Sequence, residues 1–100
     1  MTYGFLPEAE AEYLEAVRYY EDIQPGLGRC LIKEFEREIE LAVAHPEARR
    51  TVHSAGIRRI GLARFPYAVF YRILNNGKLQ ITAFAHHRRR PGYWITRIET

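Results

Sequence analysis

The chain has a single cysteine, Cys30, and no apolar run that approaches the ~20 residues of a membrane-spanning helix. An internal disulfide is therefore excluded, and no transmembrane segment is predicted. The sequence also lacks a glycine-rich phosphate loop, the residue spacing of a zinc site, internal repeats and low-complexity stretches. Residues 1–6 contain no basic side chain, so we expect no signal peptide and a cytoplasmic location.

The composition is that of a folded protein. Of the 100 residues, 47% are apolar and 27% are charged, which argues against disorder. This length supports one hydrophobic core, and residues 1–100 are expected to form a single domain.

Charge is divided unequally along the chain. Residues 1–45 carry four basic and ten acidic side chains, a net charge of −6, whereas residues 46–100 carry eleven basic and two acidic ones, a net charge of +9. A basic surface of this kind attracts polyanions, either nucleic acid or an acidic protein segment. The alternative is that basic strands only balance acidic helices within one fold.

The first half of the sequence predicts a short strand at residues 3–6 and two helices. Pro7 suits the first turn of a helix over about residues 8–22, where glutamates, Glu12 among them, favour the positive end of the helix dipole. The break at residues 25–28 starts a second helix, which ends at His45-Pro46. Its acidic side chains, including Glu34, are interpreted as facing water and not as a metal site. The short connection predicts an antiparallel helical hairpin.

The second half has the period of strands. Strands are predicted at residues 57–65, 67–74 and 79–87, and residues 47–55 are expected to form a loop. The predicted fold class is α+β: a short first strand, an antiparallel helical hairpin and a three-stranded antiparallel meander, forming one small sheet packed on the helices.

Asn76-Gly77 is a strong hairpin signal between the last two strands. A two-residue turn there would place Leu74 opposite Leu79 and would put Leu79 and Ile81 on the same face as Phe70. Both faces of this hairpin are apolar. Because the helices cover only one face, the other should be shielded by the C-terminal residues, by a second copy or by a partner.

The run from Ala85 to Trp94, AHHRRRPGYW, places imidazole, guanidinium and aromatic groups directly after the last strand. These groups suit proton transfer, phosphate binding and stacking, respectively. The candidates for catalysis are His86, His87, Arg88 and Tyr93. The alternative is a solvated basic tail. Pro91-Gly92 should turn the chain, so that Tyr93 and Trp94 fold back onto the sheet or its edge while Arg88, Arg89 and Arg90 remain outside.

Several short motifs, taken in order, resemble the RelE/ParE superfamily of toxins from bacterial type II toxin–antitoxin systems, also called plasmid stabilisation proteins. The resemblance covers nearly the whole chain. The motifs are Pro7-Glu8-Ala9, Tyr19-Tyr20-Glu21, Pro25-Gly26-Leu27-Gly28, Arg64-Phe65-Pro66-Tyr67, Phe70-Tyr71-Arg72, and Ala85-His86 followed by Arg89 and Pro91-Gly92-Tyr93-Trp94.

The resemblance implies one of two activities: RelE-like members cleave messenger RNA on the ribosome, and ParE-like members poison DNA gyrase. In the RNA-cleaving branch, the third strand typically carries an arginine that holds the phosphate, at the position of Ala68 in this sequence. Arg72 lies on the same strand face, but it is about 13 Å away by the rise of a strand. This departure favours the ParE-like branch.

The resemblance therefore implies a growth-inhibiting toxin, without a cofactor, that forms a hetero-oligomer with its cognate antitoxin and has DNA gyrase as its target. The alternatives are a RelE-like ribosome-dependent mRNA endoribonuclease and a non-toxic module that binds antitoxin or nucleic acid. Whether the chain is an enzyme stays open. The residues expected to contact target or antitoxin are Arg58, Arg59, Arg72, Arg88, Arg89, Arg90, Tyr93 and Trp94.

Overall fold

The computed structural model describes residues 2–98. Strand β1 (Tyr3–Phe5) leads into helices α1 (Pro7–Ile23) and α2 (Leu27–Ala44), and four strands follow. These are β2 (Thr51–His53), β3 (Ile57–Gly61), β4 (Tyr67–Ile73) and β5 (Leu79–His86), before a short 3-10 helix, Ile95–Arg97. The expected α+β class and the meander of β3, β4 and β5 are confirmed.

The five strands form one mixed sheet in the order β1-β5-β4-β3-β2. Strand β1 pairs with β5 in parallel, and the other neighbours are antiparallel. Because β1 has only three residues, it covers β5 only from Leu79 to Ile81. The rest of β5 on that side is covered by side chains described below.

Residues 47–55 were expected to form a loop, and this prediction is wrong for β2. Strand β2 has three residues, none of them buried, so it shows no alternating pattern that could reveal it. Its pairing with β3 is irregular between Thr51 and His53. The guanidinium of Arg58 supports the segment before β2 by donating to the carbonyl oxygens of Glu47 and Arg49.

The predicted pairing of β4 with β5 is confirmed from Tyr67 to Phe70 and is wrong by one residue from Tyr71 to the turn. Leu74 pairs with Lys78 around a three-residue loop, in which Gly77 has a φ of 84°. A second irregularity restores the register, because Phe70 lies opposite Ala83 while Tyr71 lies opposite Ile81.

Thr82 is thus the extra residue of a bulge, and it donates a side-chain hydrogen bond to the Phe70 carbonyl oxygen. The bulge turns Leu79 and Ile81 toward the helices, where both are fully buried, and not onto the Phe70 face as expected.

The helical hairpin is closely packed at its turn. A Cβ at Gly28 would lie 2.8 Å from the backbone oxygen of Val17, so α1 and α2 approach too closely there for a side chain. The Glu21 carboxylate accepts hydrogen bonds from the backbone N–H groups of Gly26 and Gly28. These contacts satisfy donors at the start of α2 that no helical carbonyl can reach.

The main core lies between the helices and one face of the sheet. Its largest fully buried members are Leu31, Phe35, Ile39, Ile60, Val69, Tyr71, Leu79, Ile81 and Phe84. Glu34, which was expected to face water, is 3% exposed. Its carboxylate turns inward because it accepts hydrogen bonds from the backbone N–H groups of Ala63 and Arg64, in the loop after β3.

Candidate functional site

The C-terminal segment, defined here as residues 87–98, crosses the face of the sheet that the helices leave uncovered. A tight turn follows β5, in which the Arg89 N–H donates to the His86 carbonyl oxygen and the Arg88 N–H donates to His86 Nδ1. A second turn at Gly92, with a φ of 75°, directs the chain back over the sheet. The fold-back expected from Pro91-Gly92 is present.

Trp94 is the anchor of this segment. Its side chain is 4% exposed and packs with Ile57 and Ala83 in a second apolar cluster. The Trp94 and Phe70 ring centroids are 4.8 Å apart, and the His53 ring meets Trp94 edge-on at 5.7 Å. The C-terminal segment itself thus shields the second apolar face of the sheet.

The segment is fixed at its other side by Glu12, from the second turn of α1. Glu12 Oε2 accepts a hydrogen bond of 2.6 Å from the Tyr93 hydroxyl and one of 2.7 Å from Arg97. Glu12 Oε1 accepts from Arg97 at 2.9 Å and from the Phe84 backbone N–H at 3.0 Å. Arg97 also donates to the Thr82 carbonyl oxygen at 3.1 Å. Glu12 and Arg97 therefore hydrogen-bond to backbone groups of Phe84 and Thr82, on the edge of β5 that β1 does not reach.

Two arginines flank the Tyr93 ring. The Arg89 guanidinium carbon lies 3.7 Å from the ring centroid, and that of Arg97 lies 5.0 Å from it. Arg89 also approaches Glu12 Oε2 to 3.7 Å. Burial raises the pKa of the Tyr93 hydroxyl, and the hydrogen bond to Glu12 raises it further. Tyr93 therefore remains protonated near neutral pH and donates to Glu12.

Beside this segment lies a depression that we call the outer groove, with a volume of about 340 Å³. Its floor contains Ala68 and Ala85, which face each other across β4 and β5. Its walls and rim are formed by Arg59, Phe70, His86, His87, Arg89, Arg90, Pro91, Gly92, Tyr93 and Trp94. Short alanine side chains leave the space, and exposed arginines surround it.

A second depression, the aromatic groove, lies between α1 and β5. It is lined by Glu12, Glu15, Ala16, Tyr19, Tyr20, Tyr67, Phe84, His86 and Arg89. Burial, followed by the neighbouring Tyr20, raises the pKa of Tyr67 to about 12, so its hydroxyl also stays protonated. His86 and Arg89 line both grooves and thus form the ridge between them.

The structure brings together most of the residues that the sequence singled out, and it separates three of them. Arg59, Arg89, Arg90, His86, His87, Tyr93 and Trp94 all line the outer groove. Arg58 instead supports the segment before β2, and the Arg72 side chain donates from Nε to Gln80 at 2.8 Å. Arg88 is exposed and lines neither groove.

The arrangement is better suited to binding anions than to general acid–base catalysis. His86 uses Nδ1 to accept the Arg88 N–H, and the Tyr93 hydroxyl is held by Glu12.

Within residues 2–98, the structure contains no group of three or more His, Cys, Asp or Glu side chains that could hold a metal ion. None of the helices described over the same residues has the length and apolar character that crossing a bilayer requires.

Comparison with models of protein families identifies the family of this chain. The family model described as ParE toxin of type II toxin-antitoxin system, parDE, matches residues 3–91. The chain belongs to this ParE toxin family. The resemblance inferred from the sequence motifs is confirmed, including the preference for the ParE branch.

A solved structure has the same fold as this ParE-family chain. It is described as a chromosomal ParDE TA system from P. aeruginosa, and it is 19% identical with a TM-score of 0.70. The match covers 86% of this chain and 95% of that chain. Comparison with curated proteins gives no match. The family match ends at residue 91, so Tyr93, Trp94 and Arg97 lie beyond the matched region.

Proposed function

We propose that this chain inhibits growth by acting on DNA gyrase in the cytoplasm and that a cognate antitoxin neutralises it. Membership of the ParE toxin family supports the toxin role. The similar fold of a protein described as part of a ParDE system supports pairing with an antitoxin. The outer groove is the proposed contact surface, because it combines an apolar wall with exposed cations and so suits a partner that carries carboxylates or phosphates.

The residue at position 68, an alanine, favours gyrase over messenger RNA as the proposed target. RNA cleavage without a metal needs a cationic group at the pentavalent phosphate, a base and an acid. The position at which RNA-cleaving relatives place an arginine is here a buried alanine on the groove floor. The hydroxyl of Tyr93, one of the four candidate catalytic residues, already donates to Glu12. A surface that binds and blocks its target therefore fits better than a nuclease site.

The test compares DNA and protein synthesis by pulse labelling after the chain is expressed alone. A gyrase poison should stop DNA synthesis first, and the purified chain should inhibit supercoiling by gyrase. Rapid loss of protein synthesis with DNA synthesis intact would instead support the RelE-like alternative. Normal growth together with tight antitoxin binding would support a non-toxic binding module.

The matched control is a variant that removes two arginines elsewhere. Arg18 and Arg37 are exposed on the helices and line neither groove. Arg18→Ala with Arg37→Ala should retain inhibition of gyrase, whereas Arg59→Ala with Arg90→Ala should weaken it. Equal loss in both pairs would show that net charge, and not the outer groove, accounts for the activity.

A further inference from the structure

Glu12 joins three parts of the fold through one carboxylate. It comes from α1, it binds the Phe84 N–H on β5, and it binds Tyr93 and Arg97 of the C-terminal segment. The carboxylate is only 16% exposed, and both of its oxygens are occupied. Because both oxygens are hydrogen-bonded, the carboxylate has a defined position and can orient a neighbouring side chain.

Arg89 is an exposed side chain that lies against Glu12 and Tyr93. The Arg89 side chain is 52% exposed, and a free arginine in that position would sample many rotamers. Here its guanidinium lies 3.7 Å from the Tyr93 ring centroid and 3.7 Å from Glu12 Oε2. The Tyr93 ring is fixed in turn by the 2.6 Å hydrogen bond from its hydroxyl to Glu12.

We infer that Glu12 is a positioning residue for Arg89, holding its guanidinium on the ridge between the outer groove and the aromatic groove before the target arrives. The contribution to binding follows from preorganisation, because a side chain that is already ordered loses less freedom when its partner binds. This inference rests on the proposed function, in which Arg89 contacts the target.

The experiment first follows Arg89 itself, without any target. In the folded chain, stacking on Tyr93 should give the Arg89 Nε–H a ring-current shift in its NMR signal. Glu12→Gln should move that signal toward the value of a free arginine. Glu10→Gln, a change at an exposed residue of the same helix, should leave it unchanged. An unchanged Arg89 signal in Glu12→Gln overturns the inference, whatever the target proves to be.

The second measurement is a double-mutant cycle on gyrase supercoiling. If Glu12 acts through Arg89, Glu12→Gln should raise the half-inhibitory concentration about three- to tenfold in the native chain and have little further effect in Arg89→Ala. Equal effects in both backgrounds would mean that Glu12 acts only through stability, which overturns the inference. Ile39→Val, a small change at a buried core residue that lines neither groove, controls for loss of stability.

Two further results keep the outcomes separate. Tyr93→Phe retains the ring but removes its hydroxyl, so it should loosen Arg89 while the Glu12–Arg97 pair remains; it replaces Glu12→Gln if that variant fails to fold. If neither the native chain nor any variant inhibits gyrase, the proposed function fails, and the NMR signal of Arg89 still decides whether Glu12 positions it.

Discussion

At the scale of single residues, Glu12 is the clearest case of a role that the sequence could not reveal. Its place near the start of α1 suggested only a favourable interaction with the helix dipole. Its hydrogen-bond partners are 72 to 85 residues further along the chain. Periodicity describes neighbours within a few residues, so it cannot find such a contact. The position of Trp94 was easier to predict, because a Pro-Gly turn directs the chain back toward the sheet and an apolar ring is stabilised by burial there.

Trp94→Ala should lower the free energy of unfolding by about 3 to 5 kcal/mol, since it empties the centre of the second apolar cluster. Chemical denaturation followed by circular dichroism measures the change. Tyr19→Ala is the matched control: its ring is 57% exposed, and the loss there should be well under that of Trp94. Similar losses in both variants would show that the C-terminal segment does not depend on Trp94.

Acidification should release the link between Glu12 and the C-terminal segment. Burial acts to raise the pKa of Glu12, but hydrogen bonds from Arg97, Tyr93 and the Phe84 backbone outweigh it, so the pKa lies below the ordinary value. A lowered pKa in the folded state means that Glu12 stabilises the fold fully above the ordinary glutamate pKa. This contribution declines as the pH falls through the lowered value.

The measurement uses Trp94, the only tryptophan of the chain, as a fluorescent reporter of docking. The difference in unfolding free energy between the native chain and Glu12→Gln should be largest near neutral pH and should shrink as the pH falls below the ordinary glutamate range. A difference that is independent of pH would contradict the assignment of the effect to the ionised carboxylate.

At the scale of elements, the sequence predicted what depends on local pattern. Both helices and the three longer strands have enough residues for their periodicity to show, and each was located. Strand β2 is too short for that test. The bulge at Thr82 could not be read either, because a single extra residue shifts the register without changing the apolar pattern of the strand.

Gly28→Ala should destabilise the helical hairpin by about 1 to 3 kcal/mol, because its new Cβ would overlap the backbone oxygen of Val17. This reverses the usual gain from alanine within a helix. Gly4→Ala is the control, since its Cβ would meet only the flexible side chain of Lys78. Thermal unfolding compares the two. An unchanged midpoint for Gly28→Ala would mean that the helices separate without cost.

At the scale of the whole molecule, the division of charge along the sequence becomes a division between two sides of the sheet. The acidic helices cover one face, and the arginines of the outer groove surround the other. The sequence predicted a basic surface and singled out six arginines for it, of which Arg59, Arg89 and Arg90 line the outer groove. Arg58 and Arg72 hydrogen-bond within their own chain away from the outer groove, and only the tertiary structure separates them from Arg59 and Arg90.

Arg88→Ala combined with Arg89→Ala should leave the melting temperature nearly unchanged, because exposed charges typically contribute under ~1 kcal/mol each. Growth inhibition should fall sharply, because Arg89 forms the ridge between the grooves. A thermal melt and a growth assay of the same variant decide the matter. A double variant that melts normally and still arrests growth would exclude this part of the C-terminal segment from the active surface.

Strand β5 is the meeting point of both ends of the described chain. Tyr3 pairs with Leu79 at the first residue of β5, and Arg97 binds the Thr82 carbonyl oxygen in the middle of the strand. Contacts this distant in sequence form late and slow folding. During synthesis, β1 and α1 leave the ribosome long before β5 exists to receive them. A chain interrupted before Leu79 therefore has no completed sheet and neither groove, so the proposed contact surface forms only after β5 and the C-terminal segment have been synthesised.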